Sequence, residues 1–239
     1  PVSLWASVTT GYRPPILDEL YFSMVWTGTH TVVVPNPDLK PEKSLNYEAG
    51  SSFKADGVFG SDDHLFAKAV FFYDDVKDFI APKGWFEPTT PPTVYYSSQN
   101  VGHVVRKGIE LSGTYAAGQF STSVSYGLLH AVDKETNERM NGITPQSANL
   151  QLAYAFPAQA INVRYRAHWS KGGESSVEDR ATGKNLHFSS FLTHSLGAEW
   201  SPKVAYLANL QAGLAVENHF DKECRMLTGS YGSGSGVRL

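Results

Sequence analysis

Cysteine is almost missing from this sequence: Cys224 stands alone among 239 residues. A single thiol can build neither an internal disulfide framework nor a thiolate zinc site. Long apolar runs are missing as well, since no uninterrupted stretch approaches the ~18 to 20 residues that a membrane-spanning helix needs. Nor is there a surplus of one charge. Twenty Lys and Arg against 23 Asp and Glu leave a formal net charge of −3, which gives no electrostatic reason to expect nucleic acid as a partner. The start, Pro1-Val2-Ser3-Leu4, carries neither an initiator methionine nor a signal peptide, so the chain reads as cut from something longer.

What is present is apolar and aromatic. The chain is 41% hydrophobic and only 18% charged, with thirteen Phe, twelve Tyr and five Trp; that composition excludes disorder and leans toward strands. Its pattern has period two. Over 161–170, Ile161, Val163, Tyr165, Ala167 and Trp169 share one face, and Asn162, Arg164, Arg166, His168 and Ser170 the other. Residues 187–200 alternate in the same way, with Phe188, Leu192, Leu196, Ala198 and Trp200 opposite Ser189, Thr193, Ser195, Gly197 and Glu199. Segments at 2–13, 45–54, 65–75, 106–116, 119–131, 147–156 and 205–217 complete a set of long two-faced strands.

Either a soluble sandwich with one wet face or a transmembrane barrel with a lipid face and a polar lumen would alternate like this. Length separates them: crossing hydrocarbon takes ~9 to 11 tilted residues, whereas ordinary strands average ~5 to 6. Tyr115, Phe156, Trp200 and Tyr206 fall at strand ends beside short turns, the place of an interfacial aromatic girdle. Connections also alternate, with short ones at 116–119 and 157–160 and long ones at 14–44, 76–105, 132–146, 171–186 and 218–235. Short periplasmic turns and long outer loops produce that rhythm. The physics favours the barrel.

Four short elements carry a resemblance. Tyr12-Arg13-Pro14-Pro15 and Asn36-Pro37-Asp38-Leu39, the latter continuing to Pro41-Glu42 and Tyr47-Glu48-Ala49-Gly50, resemble the paired boxes of TonB-dependent outer-membrane receptors. Residues 98–113, with Gly108-Ile109-Glu110, resemble that family's loop exit into a Gly-hydrophobic-Glu strand, and 216–223 its Asn-Leu-Phe-Asp-Lys tail. Pro14, His219 and Cys224 depart from the usual residues without breaking the strand pattern. The resemblance implies an all-β fold: part of an antiparallel transmembrane β-barrel, about nine strands plus the start of a tenth, out of a 22-stranded barrel. All of 1–239 then reads as the carboxy-terminal part of one barrel domain in the bacterial outer membrane, its plug domain lying outside. The implied activity is import rather than enzymatic, powered by the TonB energy-coupling complex through a missing amino-terminal part.

Between the two boxes, receptors of the haem and haemophore branch carry a histidine that coordinates haem iron, and His30 is the one histidine there. Tyr21, Phe22, Met24, Val25 and Trp26 precede it and Val32-Val33-Val34 follow, offering apolar surface to a porphyrin while imidazole offers an axial ligand. The resemblance thus makes haem the transported ligand, His30 its candidate axial ligand, and Tyr21, Phe22 and Trp26 its candidate neighbours. Haemophore or haem protein is the implied partner outside the cell, and outer-membrane lipid surrounds the barrel. A ferric-siderophore receptor is the alternative, sharing the boxes without needing the histidine. A loop histidine also has a plain reading, as an exposed or locally bonded residue.

Other residues have structural readings. Arg164, Arg166 and His168 are expected to pair with lumen carboxylates such as Glu48, Glu110, Glu199 and Glu217. Arg13, Asp18 and Glu19 are expected to fix the base of the first long loop. His194 and Ser195 are adjacent in a strand and point to opposite faces, which excludes a Ser-His hydrolase pair. The glycine-rich run at 229–237 has no lysine and no strand-to-helix setting, so it is a flexible outer loop and no phosphate loop.

Overall fold

The computed structural model describes residues 1–178, 185–202, 210–218, 220 and 236–238. Tyr206, His219 and Cys224, and most of the glycine-rich run, lie outside these residues. In chain order the first elements are β1 (Val2–Arg13), the short helix α1 (Leu17–Tyr21), β2 (Met24–Trp26), β3 (Thr31–Val33), β4 (Glu42–Asp56) and β5 (Asp63–Lys77). Then come β6 (Ile80–Glu87), β7 (Thr93–Asn100), β8 (His103–Ala117), β9 (Phe120–Asp133), β10 (Gln146–Phe156) and β11 (Ile161–Ser170). The last are β12 (Gly173–Glu178), β13 (Asn185–Phe188), β14 (Phe191–Trp200), β15 (Ala212–Glu217) and β16 (Gly236–Arg238).

Ten strands make one sheet in the order β1-β4-β5-β8-β9-β10-β11-β14-β15-β16, every pair antiparallel. This is the expected run of nine with the start of a tenth: β16 meets β15 over three residue pairs. The sheet is not closed, because β1 and β16 each have one neighbour. Among the described residues no helix is long and apolar enough to cross a membrane.

Two expected boundaries change. The segment read as one strand over 187–200 is two, with β13 paired to β12 in a separate small sheet. The break falls at Ser189-Ser190, where the Gly172 backbone presses so closely that a Cβ on Gly172 would lie 2.1 Å from the Phe188 carbonyl, and where the Gly172 amide donates to Ser190 Oγ at 2.9 Å. Of 205–217, the described strand is Ala212–Glu217. At its far end, Gly236 and Val237 of the glycine-rich run enter β16.

The register carries each face across the sheet. Tyr165, Leu196 and Val216 align in one row, and Val163, Ala198 and Leu214 in the next. Large apolar side chains stand bare on that face, Leu4 at 81% and Leu196 at 50% exposure, as hydrocarbon contact requires. His194 also points there, and its Nδ1 lies 2.5 Å from the Tyr165 hydroxyl, so this polar ring is satisfied locally where lipid offers no partner.

The opposite face is polar, and the two box glycines explain their own identity on it. The Trp5 indole lies flat on Gly50, where a Cβ would meet the ring at 2.4 Å. The Phe72 ring lies on Gly108, where a Cβ would also meet the Leu128 carbonyl at 2.2 Å. β4, β5 and β8 are each 15 residues long, beyond the ~9 to 11 needed to cross, so their loop ends project past the bilayer. Buried Leu39, Val76, Ile80, Val104 and Ala131 sit in those projecting ends and the connections beside them.

Candidate functional site

The long loops stand on a charged clamp. Arg13, the last residue of β1, donates from Nη1 to both Glu19 oxygens at 3.0 Å and from Nη2 to Glu42 Oε1 at 2.6 Å. Glu42 Oε1 also accepts the Ile80 amide at 2.8 Å, and Glu19 Oε2 accepts the Ile16 amide at 2.9 Å ahead of α1. One guanidinium therefore joins β1, α1, β4 and the start of β6. Asp18 has no side-chain bond in this clamp among the described residues; its carbonyl accepts the Phe22 amide at 3.1 Å, which closes the end of α1. Both Arg13 and Glu42 lie at the loop ends of their strands. Burial alone would push the Glu42 carboxyl up, but the hydrogen bonds from Arg13 and Ile80 hold it below its ordinary range. The hydrogen bond to Glu42 in turn holds the Arg13 guanidinium protonated well above its own.

The second box is a bracket between loops. Asn36 donates from Nδ2 to the Ser98 carbonyl at 2.9 Å. Asn100 reciprocates, accepting the Lys40 amide at 2.8 Å and donating to the Lys40 and Asp78 carbonyls at 2.9 and 2.7 Å. The segments read as separate loops at 14–44 and 76–105 are thereby joined.

Above the bracket they form a four-stranded sheet in the order β2-β3-β7-β6, with β3 and β7 parallel and the outer pairs antiparallel. Its register sorts the aromatic cluster onto two faces. One face carries the row Trp26, Thr31, Val94, Phe86 and the row Met24, Val33, Tyr96, Gly84. A Cβ on Gly84 would lie 2.9 Å from the Tyr96 ring. The other face carries Val25, Val32, Tyr95 and Trp85, the last two stacked at 5.5 Å with rings 12° apart. Phe86, Tyr96, Tyr95 and Trp85 belong to the second loop and are missing from the candidate set, although "GWFE" and "TVYYSS" show the doubled aromatics that mark them.

His30 ends the turn between β2 and β3. Its carbonyl accepts the Val94 amide at 2.9 Å, and its backbone is left-handed with φ 49°, a conformation in which histidine is enriched among non-glycine residues. His30, Tyr21, Phe22 and Trp26 are all exposed. Trp26 and His30 flank one turn, whereas Tyr21 ends α1 and Phe22 follows it. Among the described residues no ring contact joins Tyr21, Phe22 and Trp26, and no group of three or more His, Cys, Asp or Glu could hold a bare metal ion.

Residues 1–218 match the family model described as TonB dependent receptor-like, beta-barrel. The chain belongs to that family. This TonB-dependent receptor barrel is an outer-membrane protein, one of a family of transport receptors and not of enzymes. It is 26% identical over 236 residues to "Heme/hemopexin utilization protein C" of Haemophilus influenzae (strain 86-028NP), covering 93% of this chain and 33% of that protein. Among solved structures it resembles "Copper transporter OprC", with TM-score 0.75 and 19% identity over 99% of this chain and 36% of that one. It also resembles a double mutant of the Serratia marcescens hemophore receptor HasR in complex with its hemophore HasA and heme, with TM-score 0.68 and 16% identity over 99% of this chain and 36% of that one. The receptor chain spans about a third of the length of the curated relative it matches.

The inner wall of the receptor barrel corrects one expectation. Arg164 does approach Glu199, at 3.9 Å. His168 instead takes an amide partner, its Nδ1 lying 2.7 Å from Asn149 Oδ1, and Asn149 Nδ2 donates to Ser125 Oγ at 3.1 Å. Arg166 forms no ion pair among the described residues. Register explains this: its neighbours across the strands are Gln151 and Ser195, while Glu48 and Glu110 lie on β4 and β8.

Proposed function

We propose that this barrel is the carboxy-terminal part of a receptor that imports haem, delivered free or by a haemophore or haem protein, with energy from the TonB complex engaged by a plug outside these residues. The observation that carries the reading is His30 at the end of an exposed turn, directly before Thr31, whose row across the outer sheet has Trp26 on one edge strand and Phe86 on the other. Imidazole would supply the axial bond and the rings the apolar bed; Tyr21 and Phe22 stand at the approach. The curated relative named for heme and hemopexin utilization supports the same cargo.

Ferric-siderophore import is the second reading. The left-handed φ of His30 favours it, because a turn that tolerates histidine explains that residue without any ligand. The experiment that tests the haem reading is His30→Asn, which keeps the left-handed turn, in an intact receptor carrying these residues. Haem ligation by His30 requires a changed Soret band and poorer growth on limiting haem at normal receptor abundance. A parent protein with no haem spectrum leaves the siderophore reading standing.

A further inference from the structure

The outward wall of the barrel carries two cross-strand pairs of basic residues near the loop ends of its strands. Lys43 on β4 stands directly opposite Lys77 on β5, and Lys107 on β8 directly opposite His130 on β9. Register puts all four on the face of Phe71, Ile109 and Leu128, so they point toward the membrane and away from the lumen. Arg139 joins that face, bridged to Val132 two residues beyond His130. Lys43, Lys77, Lys107 and Arg139 are exposed and form no ion pair among the described residues. Of the acids around them, Asp75 shares the face and is held by His103 at 2.8 Å. Glu135 lies against Gly102, Asp133 accepts the Glu135 and Thr136 amides, and Asp78 and Glu138 belong to the connections beyond the strands. Like charges directly opposite on a sheet destabilise it. An anion seated between them reverses the sign.

Height on the wall says which anion. From Tyr115 beside the short turn to Lys107 is nine residues of β8, within the ~9 to 11 that cross the hydrocarbon, so these cations stand where the outer headgroups begin. Tyr47 and Tyr73 share the Lys107 row, with rings 6.3 Å apart, as at a membrane interface. Below them Phe71, Ile109 and Leu111 are bare. These strands lie inside the sheet, which is open only at β1 and β16; further strands would extend it sideways, and a plug would fill the opposite face. We infer that this wall binds a bis-phosphorylated glycolipid of the outer leaflet, with Lys43 and Lys77 gripping one phosphate, Lys107, His130 and Arg139 the other, and acyl chains lying on the apolar rows below. Ammonium, imidazole and guanidinium groups all donate charge-assisted bonds to phosphate, and basic residues beside an anionic leaflet add their attractions. A phospholipid with a single phosphate cannot occupy both pairs. The site is independent of the cargo, which passes on the other side of the sheet.

The test uses the intact receptor in neutral detergent micelles, titrated with bis-phosphorylated lipid A, with its dephosphorylated form or with phosphatidylglycerol, and follows the melting transition. Lipid A should raise the transition of the parent, and the other two should act at least tenfold more weakly. The double variants Lys43→Gln with Lys77→Gln, and Lys107→Gln with Arg139→Gln, should each lower the apparent affinity for lipid A about tenfold, the size of a charged hydrogen-bond loss. Lys43→Arg with Lys77→Arg should keep it. Without lipid, Lys43→Gln with Lys77→Gln should melt at or above the parent, because a repulsion has been removed. A lower lipid-free transition in that variant would overturn the site and assign the lysines to the fold. Equal action of phosphatidylglycerol would overturn it in favour of an unselective anionic surface, and a parent that lipid A does not stabilise would leave these cations to an acidic protein partner. Haem titration should be the same in parent and variants, so failure of the haem reading leaves this result standing.

Discussion

Arg13 and Glu42 face each other at the loop ends of β1 and β4, 2.6 Å apart, and the same Glu42 oxygen holds the first amide of β6. Replacing Glu42 by Gln removes the charge from both bonds and should loosen the loop base by about 1–3 kcal/mol. The expected outcome is faster external proteolysis within 76–105 with the barrel still heat-modifiable. The sign with pH follows from the depressed Glu42 carboxyl. Its contribution is fully present above the unfolded value of about 4.3 and is lost as pH falls through the lower folded value. Loop proteolysis should therefore rise in acid in the parent and stay flat with pH in Glu42→Gln.

The lipid and lumen faces give a paired test. Leu196 is half exposed on the apolar face and Ser195 beside it faces Arg166. Arginine at Leu196 should cost ~2 to 4 kcal/mol near the midplane and lower assembly in the outer membrane, whereas arginine at Ser195 should assemble well. The reverse result, read by heat-modifiability, would invert the two faces.

Gly108 and Gly50 should differ under the same substitution. A methyl at Gly108 meets the Leu128 backbone carbonyl, which cannot rotate away, while at Gly50 it meets the Trp5 side chain. Gly108→Ala should destabilise the barrel by about 1–3 kcal/mol and lower its melting transition further than Gly50→Ala.

Much of this was legible in the residues. Alternation from Ile161 to Ser170 and its partners gave the strands and their faces, because period two is local and lipid enforces it. The Arg13 and Glu19 link at the loop base was legible from the box. The four-stranded outer sheet was not, since β3 and β7 are parallel and joined by contacts some 60 residues apart, Asn36 to Ser98 and Lys40 to Asn100. Nothing local in "GTHTVVV" announces that Phe86 shares a row and a face with Trp26. The pairing of Arg166 was misread for a related reason: sharing a face with a carboxylate does not place two side chains in one row, and register decides that.

The 239-residue chain expressed alone keeps two open edges, the outer sides of β1 and β16. Hydrocarbon cannot satisfy their backbone groups, and in water such edges aggregate. Refolded into vesicles, the chain should give no heat-modifiable, protease-resistant species.

His30 needs a substitution that separates ligand from turn. Alanine removes the imidazole and also strains a left-handed position, at φ 49°, so a loss of function alone would be ambiguous. Asparagine adopts that conformation readily and glycine does so without strain, and neither offers an imidazole. If His30 ligates haem iron, His30→Asn and His30→Gly should lose the parent Soret spectrum as fully as His30→Ala, with receptor abundance unchanged. Trp26→Ala and Phe86→Ala should weaken haem binding by a few-fold, since they remove rings from one face of the outer sheet, and Trp85→Ala, on the other face, should leave it as it was. If asparagine and glycine instead preserve haem-dependent growth where alanine does not, His30 serves the turn between β2 and β3, and the axial ligand lies elsewhere.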